Sequence, residues 1–476
     1  MNLSSNKNSF LNFFVSDKSE FILHAAETEF EMNVIYINCH DAGTYIEPYG
    51  YKIDTPNLTE LASEGTLFRK AFCVGPTCSS SRAGLLTGQS AHSSGMLGLA
   101  HLGYQLKDYN NHIAKYLRSF GYETTLCGVH HIGVQPNMDV YSKYLDFEEE
   151  EKWQCTKFTL SRDRDIAKLA ARYIEEEKSP FFLSVGFYMP HREYLHDLGK
   201  INADYVIPPF PIYDNEEGRK DFAEYMASAA EMDKCVGIVT NAVKNAGIED
   251  ETFIIFASDH GLPFPRMKAN LYDTGIATSL IFKIPENKHV GRAVDAMVSH
   301  TDIFPTICDF LGIDKPDWLE GTSIMPLIKS EKDKIRDEIY SEVNYHLAYE
   351  PLRCVRTERY KYIKYFGEDT GVLQANVDNS YVKSFFVDNG WEEEEHYSEM
   401  LFDLYLDPVE RVNLIGNPKY KSIEKDLKLR LKNWMEKTDD PLLKGKIEIP
   451  DGCYATWQDY AEEALPILWE RYGIKK

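Results

Sequence analysis

The sequence lacks the features of a membrane or secreted protein. Its 476 residues contain no apolar run near the roughly 18 residues needed to span a bilayer. Residues 1–31 are polar and irregular, and they lack the basic start, apolar core and small-residue cleavage site of a signal peptide. These absences predict a cytoplasmic protein without a membrane partner.

Cysteines are too scattered to form a disulfide framework. The nine cysteines are an odd number, no Cys-x-x-Cys pair occurs, and several lie inside apolar runs. This distribution indicates a reducing compartment.

Positive charge is scarce. The chain has 52 Lys and Arg against 75 Asp and Glu, which gives a net charge of −23 and argues against a nucleic-acid partner. An anion site in such a protein must therefore be made positive locally, by a metal ion or by buried lysine and arginine.

The composition and length predict a folded chain in three parts. A hydrophobic content of 43% with 27% charged residues is typical of soluble globular proteins. We predict an N-terminal extension over residues 1–31, a large domain over 32–341 and a smaller C-terminal subdomain over 342–476, where the sequence becomes rich in tyrosine.

Short apolar runs alternate with helical patterns along the large domain. Strands are predicted at 32–39, 124–127, 181–187, 252–257 and 279–284, and helices from Pro56 and at 112–120, 163–177, 222–246 and 302–311. The alternation predicts an α/β fold with a large, mainly parallel sheet sandwiched by helices. The C-terminal part predicts an α+β unit, with a short antiparallel sheet from strands at 353–366 and 401–404 and a helix at 419–437.

Polar residues directly follow four of the predicted strands: His40-Asp41, His130-His131, His191 and Asp259-His260. The carboxyl ends of parallel strands share one edge of the sheet, where ligands bind, so we expect these side chains to lie together. Asp41 and Asp259 carry oxygen ligands suited to a hard divalent cation. A single aspartate after a strand is also a common helix cap.

The stretch from Phe72 to Gly88 brings a cysteine to the start of a predicted helix. Three serines follow Cys78, and Arg82 comes next. The serines are expected to cap the helix, whose positive end favours an anion. A cysteine at a helix start beside an arginine is predicted to have a lowered pKa. The alternative is a buried structural thiol ahead of an ordinary helix.

The same stretch resembles the signature of the sulfatase family, which belongs to the alkaline-phosphatase superfamily. That signature is Cys/Ser-x-Pro-x-Arg followed by Leu-x-Thr-Gly; the chain has Cys78-Ser-Ser80-Ser-Arg82 and then Leu86-Thr-Gly88, with Ser80 in the proline position. The resemblance implies an alkaline-phosphatase-like fold and a catalytic formylglycine derived from Cys78. It also implies a formylglycine-generating enzyme as a partner.

The resemblance extends to the strand-end residues and implies one divalent metal ion. The implied metal ligands are Asp41, Asp259 and His260, with His40 in the place of the family's usual first aspartate. Calcium is the ion that the family suggests, and the histidines leave manganese or zinc possible.

Further catalytic residues are implied by similar short motifs. Lys268 occupies the position of the lysine or arginine that contacts sulfate, and His191 that of the histidine serving the leaving group. The segment Gly128-Val-His-His131-Ile-Gly133 resembles Gly-Lys-x-His-x-Gly, with Val129 in place of the lysine. The catalytic set is therefore Cys78, Arg82, His131, His191 and Lys268.

Weaker similarities favour the N-sulfoglucosamine sulfohydrolase branch, and hence a sulfated small molecule or heparan-type glycan as substrate. Glu342, His346 and Arg353, in a Tyr-rich setting, are the predicted sugar-binding residues, and a plain contact between domains is the alternative. Two rival functions stay open. One is a phosphodiesterase or phosphonate monoester hydrolase of the same superfamily, and the other is an unmodified, non-catalytic binder of sulfated glycans.

Overall fold

The computed structural model describes residues 32–133, 139–145, 160–177, 180–368, 372–394 and 397–455. The predicted extension over residues 1–31 lies outside them, and the larger unit of the chain begins at Met32. The division between residues 341 and 342 stays a prediction.

The large sheet contains nine of the described strands. They are β1 Asn33–Cys39, β2 Thr66–Phe72, β3 Glu123–Gly128, β4 Lys143–Tyr144, β5 Phe181–Gly186, β6 Thr252–Ser258, β7 Ala277–Thr278, β8 Leu280–Lys283 and β9 Arg292–Ser299. Their order is β4-β3-β5-β1-β6-β8-β2-β7, and β9 pairs with β2. The centre of the sheet is parallel, while β8 runs antiparallel to β6 and β2.

Strand β1 forms the middle of the sheet because every one of its residues can be buried. All seven residues from Asn33 to Cys39 are buried, as expected for a parallel strand covered on both faces. Its parallel partners β5 and β6 end beside it, at Gly186 and Ser258. The three chain segments that follow these strands therefore leave the sheet at one edge.

The described α-helices are α1 Pro56–Ser63, α2 Cys78–Thr87, α3 Ala91–Ser94, α4 Ile113–Arg118, α5 Leu160–Glu176, α6 Glu216–Ala246, α7 Asp273–Ile276, α8 Ile303–Leu311, α9 Met325–Ile328, α10 Tyr381–Asp388 and α11 Lys421–Lys437. None of them is both long and apolar enough to cross a membrane. The cytoplasmic location stays a prediction.

The second sheet is antiparallel and has the order β10-β11-β12-β13. Its strands are β10 Glu338–Tyr345, β11 Tyr349–Thr357, β12 Tyr360–Tyr365 and β13 Glu399–Asp403. The predicted single strand at 353–366 is wrong, since a turn at Glu358 and Arg359 divides it into β11 and β12. Helix α11 packs on β11 and β12. The predicted fold class, an α/β sheet with a smaller antiparallel unit, is confirmed.

Candidate active site

Two aspartates from neighbouring strand ends form the base of the site. The backbone N–H groups of Asp41 and His260 both donate to Asp259 Oδ1, at 2.8 and 2.9 Å. Asp41 has a φ of 50°, a left-handed conformation that aspartate tolerates better than most residues. Both carboxylates are buried, and they are held by the loops that leave β1 and β6.

The donor atoms of four residues converge at this point. His40, Asp41, Cys78 and Asp259 each place one donor within 4.8 Å of the other three. Three buried atoms have no hydrogen-bond partner among the described residues: both ring nitrogens of His40, and Asp41 Oδ1. Unpaired buried polar atoms are costly, so this donor set fits a metal ion.

Cys78 is the first residue of α2 and is buried beside the two aspartates. Its Sγ lies 3.3 Å from His260 Nε2. The predicted low pKa of the thiol is wrong: burial raises the pKa well above its usual value, and Lys268 offsets this only in part. The unmodified side chain is therefore a neutral thiol.

The three serines of α2 do not cap the helix as predicted, because they lie within its first turn and bond to neighbouring segments. Ser79 Oγ accepts from the backbone N–H of Ala100 at 2.9 Å, and Ser80 Oγ donates to the carbonyl of Met96 at 2.7 Å. Ser81 Oγ donates to the carbonyl of Asp259. The serines thus fix the helix that carries Cys78 against neighbouring loops, including the one that leaves β6.

Arg82 supplies a buried positive charge next to the aspartates. Its guanidinium donates to Asn38 Oδ1, to the carbonyl of Cys39 at 3.3 Å and to Asp259 Oδ2 at 3.3 Å. Burial raises the pKa of Asp259, but His260 and Arg82 outweigh it and hold the pKa below its ordinary value. Asp259 is accordingly ionised and ready to bind a cation.

Lys268 brings a second buried charge to the opposite side. Its Nζ lies 3.1 Å from Asp41 Oδ2, 3.0 Å from Asp378 Oδ2 and 3.5 Å from His191 Nε2. Burial lowers the pKa of Lys268, but Asp378 and Asp41 raise it well above its usual value. His191 Nδ1 lies 2.8 Å from the Tyr188 hydroxyl, which orients its ring.

His131 lies at the same edge, with a donor atom within 4.8 Å of donors of His40 and Cys78, and its hydrogen-bond contact is with another histidine. Its Nε2 is 3.0 Å from His101 Nδ1, and the two rings stack with centroids 5.2 Å apart. The ring of His40 is 5.9 Å from that of His131. Val129, at the position of the family's lysine, is buried. The structure thus brings all the predicted catalytic and metal-binding residues together.

Two of the three predicted sugar-binding residues are part of a buried ionic network instead. Arg353 donates to Asp440 at 2.6 and 3.0 Å and pairs with Glu342 at 3.1 Å. Glu342 also lies 2.9 Å from His92 Nδ1. Both Glu342 and Arg353 are 0–1% exposed, and the network leaves no face of either side chain toward solvent.

His346, the third predicted sugar-binding residue, lies close enough to Lys268 to interact with its charge. It is buried, and its Nδ1 has no hydrogen-bond partner among the described residues. Burial and the charge of Lys268 hold the pKa of His346 well below its ordinary value. A neutral imidazole with a free nitrogen is suited to bind a polar group.

Sequence reasoning missed Asp378 and His101. Burial raises the pKa of Asp378, but Lys268 and His191 bring it well below the usual range, so this carboxylate holds the Lys268 ammonium. Neither residue follows a strand of the large sheet, and no spacing pattern marks either one.

A cavity of about 310 Å³ lies next to the segments that carry Lys268 and Asp378. Its lining includes Arg266 and Asn270, which flank Lys268, and Asn376 and Val377, which precede Asp378. Cys78 and the strand-end residues are not part of its lining. The cavity is therefore a neighbour of the candidate active site and not the site itself.

The fold and the site together are of the alkaline-phosphatase type, with a buried thiol, two carboxylates and buried cations at the carboxyl ends of parallel strands. Comparison with known proteins gives the family. The family model described as Sulfatase matches residues 32–313, and a model described as N-sulphoglucosamine sulphohydrolase, C-terminal, matches residues 260–394. The chain belongs to the sulfatase family and is accordingly a sulfuric ester hydrolase.

Individual relatives are distant but nearly full-length. An "Ulvan-active sulfatase" of Formosa agariphila is 27% identical over 92% of this chain and 84% of its own, and human "N-sulphoglucosamine sulphohydrolase" is 28% identical over 86% and 91%. A structure in complex with its substrate D-glucosamine-2-N,6-O-disulfate has a TM-score of 0.66 at 18% identity, covering 86% of this chain and 98% of that one. Phosphonate monoester hydrolase of Agrobacterium radiobacter has a TM-score of 0.65 at 20% identity, covering 89% and 99%. At these identities the two structures share the fold.

Proposed function

We propose that this sulfatase acts on a sulfated saccharide of the N-sulfoglucosamine class, as an ester or sulfamate hydrolase that uses a formylglycine derived from Cys78 and one divalent cation. The observation that carries the proposal is the convergence of Cys78, Asp41 and Asp259 in one buried cluster beside Lys268. The names of the human and Formosa relatives support the choice of a saccharide substrate.

Each part of the cluster has a role in this proposal. A cation held by Asp41 and Asp259 would supply positive charge to a sulfate oxygen, and a formylglycine would supply a hydrated aldehyde as nucleophile. The Lys268 ammonium places a second positive charge where it stabilises the negative charge that develops on the sulfate group. His191, oriented by Tyr188, gives a proton to the departing oxygen or nitrogen. Arg82 keeps Asp259 ionised and in place.

Conversion of Cys78 also requires a formylglycine-generating enzyme as partner. The intact mass of the peptide that spans Cys78 tests this step, because conversion of the thiol to an aldehyde lowers the mass. An unconverted peptide together with tight binding of sulfated glycan would instead support the non-catalytic binder.

Paired substrates test the reaction. Purified protein is assayed with N-sulfoglucosamine, with an aryl sulfate, and with the matching aryl phosphate and phenylphosphonate monoester. Preference for the sulfated compounds is the expected result. Faster turnover of the phosphorus compounds would contradict the proposal and favour the phosphonate monoester hydrolase, whose fold is shared.

For recognition of the sugar, we assign the direct contact to His346, and we assign to Glu342 and Arg353 the support of the fold around it. His346→Ala should reduce turnover of N-sulfoglucosamine far more than turnover of an aryl sulfate, because the free ring nitrogen is expected to bond the sugar. The measurement is kcat/KM on both substrates.

Arg353→Ala is the comparison variant. It removes the guanidinium that pairs with buried Asp440 and leaves Glu342 with His92, so the free energy of unfolding should fall by about 3–5 kcal/mol. The remaining folded protein should lose turnover of both substrates to the same extent. If Arg353→Ala lost kcat/KM only on the sugar substrate and kept its stability, Arg353 would itself be a sugar-binding residue.

A further inference from the structure

The first strand end of this chain carries an imidazole where the sulfatase pattern has a carboxylate. His40 is 2% exposed, and its Nδ1 lies 3.4 Å from Asp259 Oδ2. Its ring is surrounded by the rings of Tyr188, His191 and His131, with centroids 5.5, 5.6 and 5.9 Å away. No hydrogen bond satisfies either nitrogen within the described parts of the chain.

An ordinary core histidine does not explain this environment. A buried donor or acceptor without a partner destabilises the folded protein, and among the described residues His40 has two such atoms. Core histidines normally avoid the cost through hydrogen bonds, as His300 does, with its Nδ1 3.1 Å from the Ser81 hydroxyl and its Nε2 3.1 Å from the Thr278 hydroxyl. His40 instead places a nitrogen within 4.8 Å of the donors of Asp41, Asp259 and Cys78.

The groups next to this set add further nitrogen donors. His260 Nε2 lies 3.4 Å from Asp41 Oδ1 and 3.8 Å from Asp259 Oδ2. His131 joins His40 and Cys78 in a second group of converging donors. Calcium takes six to eight oxygen ligands, whereas imidazole suits zinc and its first-row neighbours. The group that contains both carboxylates also contains the imidazole of His40, and His260 Nε2 lies 3.4 Å from one of its oxygens, so this donor set is a poor match to calcium.

We propose that this site selects a first-row transition ion, with Zn²⁺ bound more tightly than Ca²⁺, and that His40 is the ligand responsible for the selection. This replaces the calcium predicted from the family pattern. The proposal concerns the cation of the proposed sulfatase, and it is tested by binding alone. Loss of the selectivity and absence of sulfatase activity are therefore separate results.

The experiment measures metal affinity in a background without the thiol, since a free Cys78 would bind zinc by itself. Full-length Cys78→Ala protein is stripped with a chelator and titrated with Zn²⁺, Mn²⁺ or Ca²⁺. Dissociation constants come from calorimetry or chelator competition, and stoichiometry comes from elemental analysis. We expect one Zn²⁺ per chain, bound more tightly than Ca²⁺.

His40→Asp in the same background should reverse the preference. Removal of even an outer partner of a metal ligand costs about 10- to 100-fold in affinity, so loss of the imidazole should weaken Zn²⁺ binding by at least that factor while Ca²⁺ binding strengthens. His289→Asp makes the same exchange at an exposed histidine and should leave both affinities unchanged. It also controls for zinc bound at surface histidines.

Two results would overturn the proposal. One is Ca²⁺ binding at least as tight as Zn²⁺ binding in the His40 protein, and the other is an unchanged zinc-to-calcium ratio in the folded His40→Asp variant. If the added buried carboxylate prevents folding, as judged by circular dichroism, the neutral variant His40→Asn is titrated in its place. The same zinc-to-calcium ratio of affinities then tests the proposal.

Discussion

Replacement of Cys78 by alanine should abolish hydrolysis of every sulfated substrate while the protein stays folded. Removal of a catalytic nucleophile costs on the order of 10⁴-fold or more in kcat. Cys78 is the first residue of α2, and within the described part of the chain its Sγ makes one hydrogen-bond contact, with His260 Nε2 at 3.3 Å. The stability cost should therefore be small, about 1 kcal/mol.

A matched variant separates chemistry from packing. Cys235→Ala removes another buried thiol, which lies in α6 within the core under the large sheet. Cys235→Ala should lower the thermal midpoint of unfolding by about as much as Cys78→Ala does, and it should leave kcat unchanged. Turnover by Cys78→Ala near that of Cys235→Ala would show that the thiol position does not carry the reaction.

The central half of the fold could be predicted because its strands are buried on both faces. β1, β5 and β6 are continuous apolar runs, and the polar residues after them mark where each strand ends. Parallel pairing then brings these ends together without further information. For this reason His40, Asp41, His191 and Asp259 could be placed at one site from the sequence.

Residues that join the site from elsewhere could not be predicted in this way. Asp378 reaches Lys268 from a segment 110 positions later in the chain, and nothing local to it distinguishes it from a surface aspartate. The ionic network of Arg353 could not be predicted for a related reason. Its main partner, Asp440, is 87 residues away, so the sequence alone shows a charged residue in a strand and not a buried ion pair.

The thiol pKa shows a different limit of local reasoning. The position at a helix start beside Arg82 favours a thiolate, and that argument is correct for an exposed cysteine. In the folded protein Arg82 is engaged by Asp259 and Asn38, and Cys78 is completely buried. Burial and the two aspartates therefore outweigh the local arrangement.

Asp259→Asn should cause the largest loss after Cys78→Ala, because this carboxylate pairs with Arg82 and is the proposed ligand of the cation. One oxygen accepts from two backbone N–H groups, and the other lies 3.3 Å from Arg82 and 3.4 Å from His40 Nδ1. The amide keeps the shape but removes the charge. Since a catalytic metal supplies several kcal/mol of transition-state stabilisation, kcat should fall on the order of 10³-fold.

The loss should appear as missing metal as well as missing activity. Elemental analysis of purified Asp259→Asn should find less than one ion per chain, and added metal should restore little of the rate. Asp233→Asn is the matched control, because Asp233 is another fully buried carboxylate, which accepts from the backbone N–H groups of Asn57 and Leu58. That variant should lose stability but keep its metal and its kcat. If Asp259→Asn retained a stoichiometric ion and the parental rate, Asp259 would serve only to hold Arg82 and the backbone of Asp41 and His260 in place. The cation would then have to be bound by other residues.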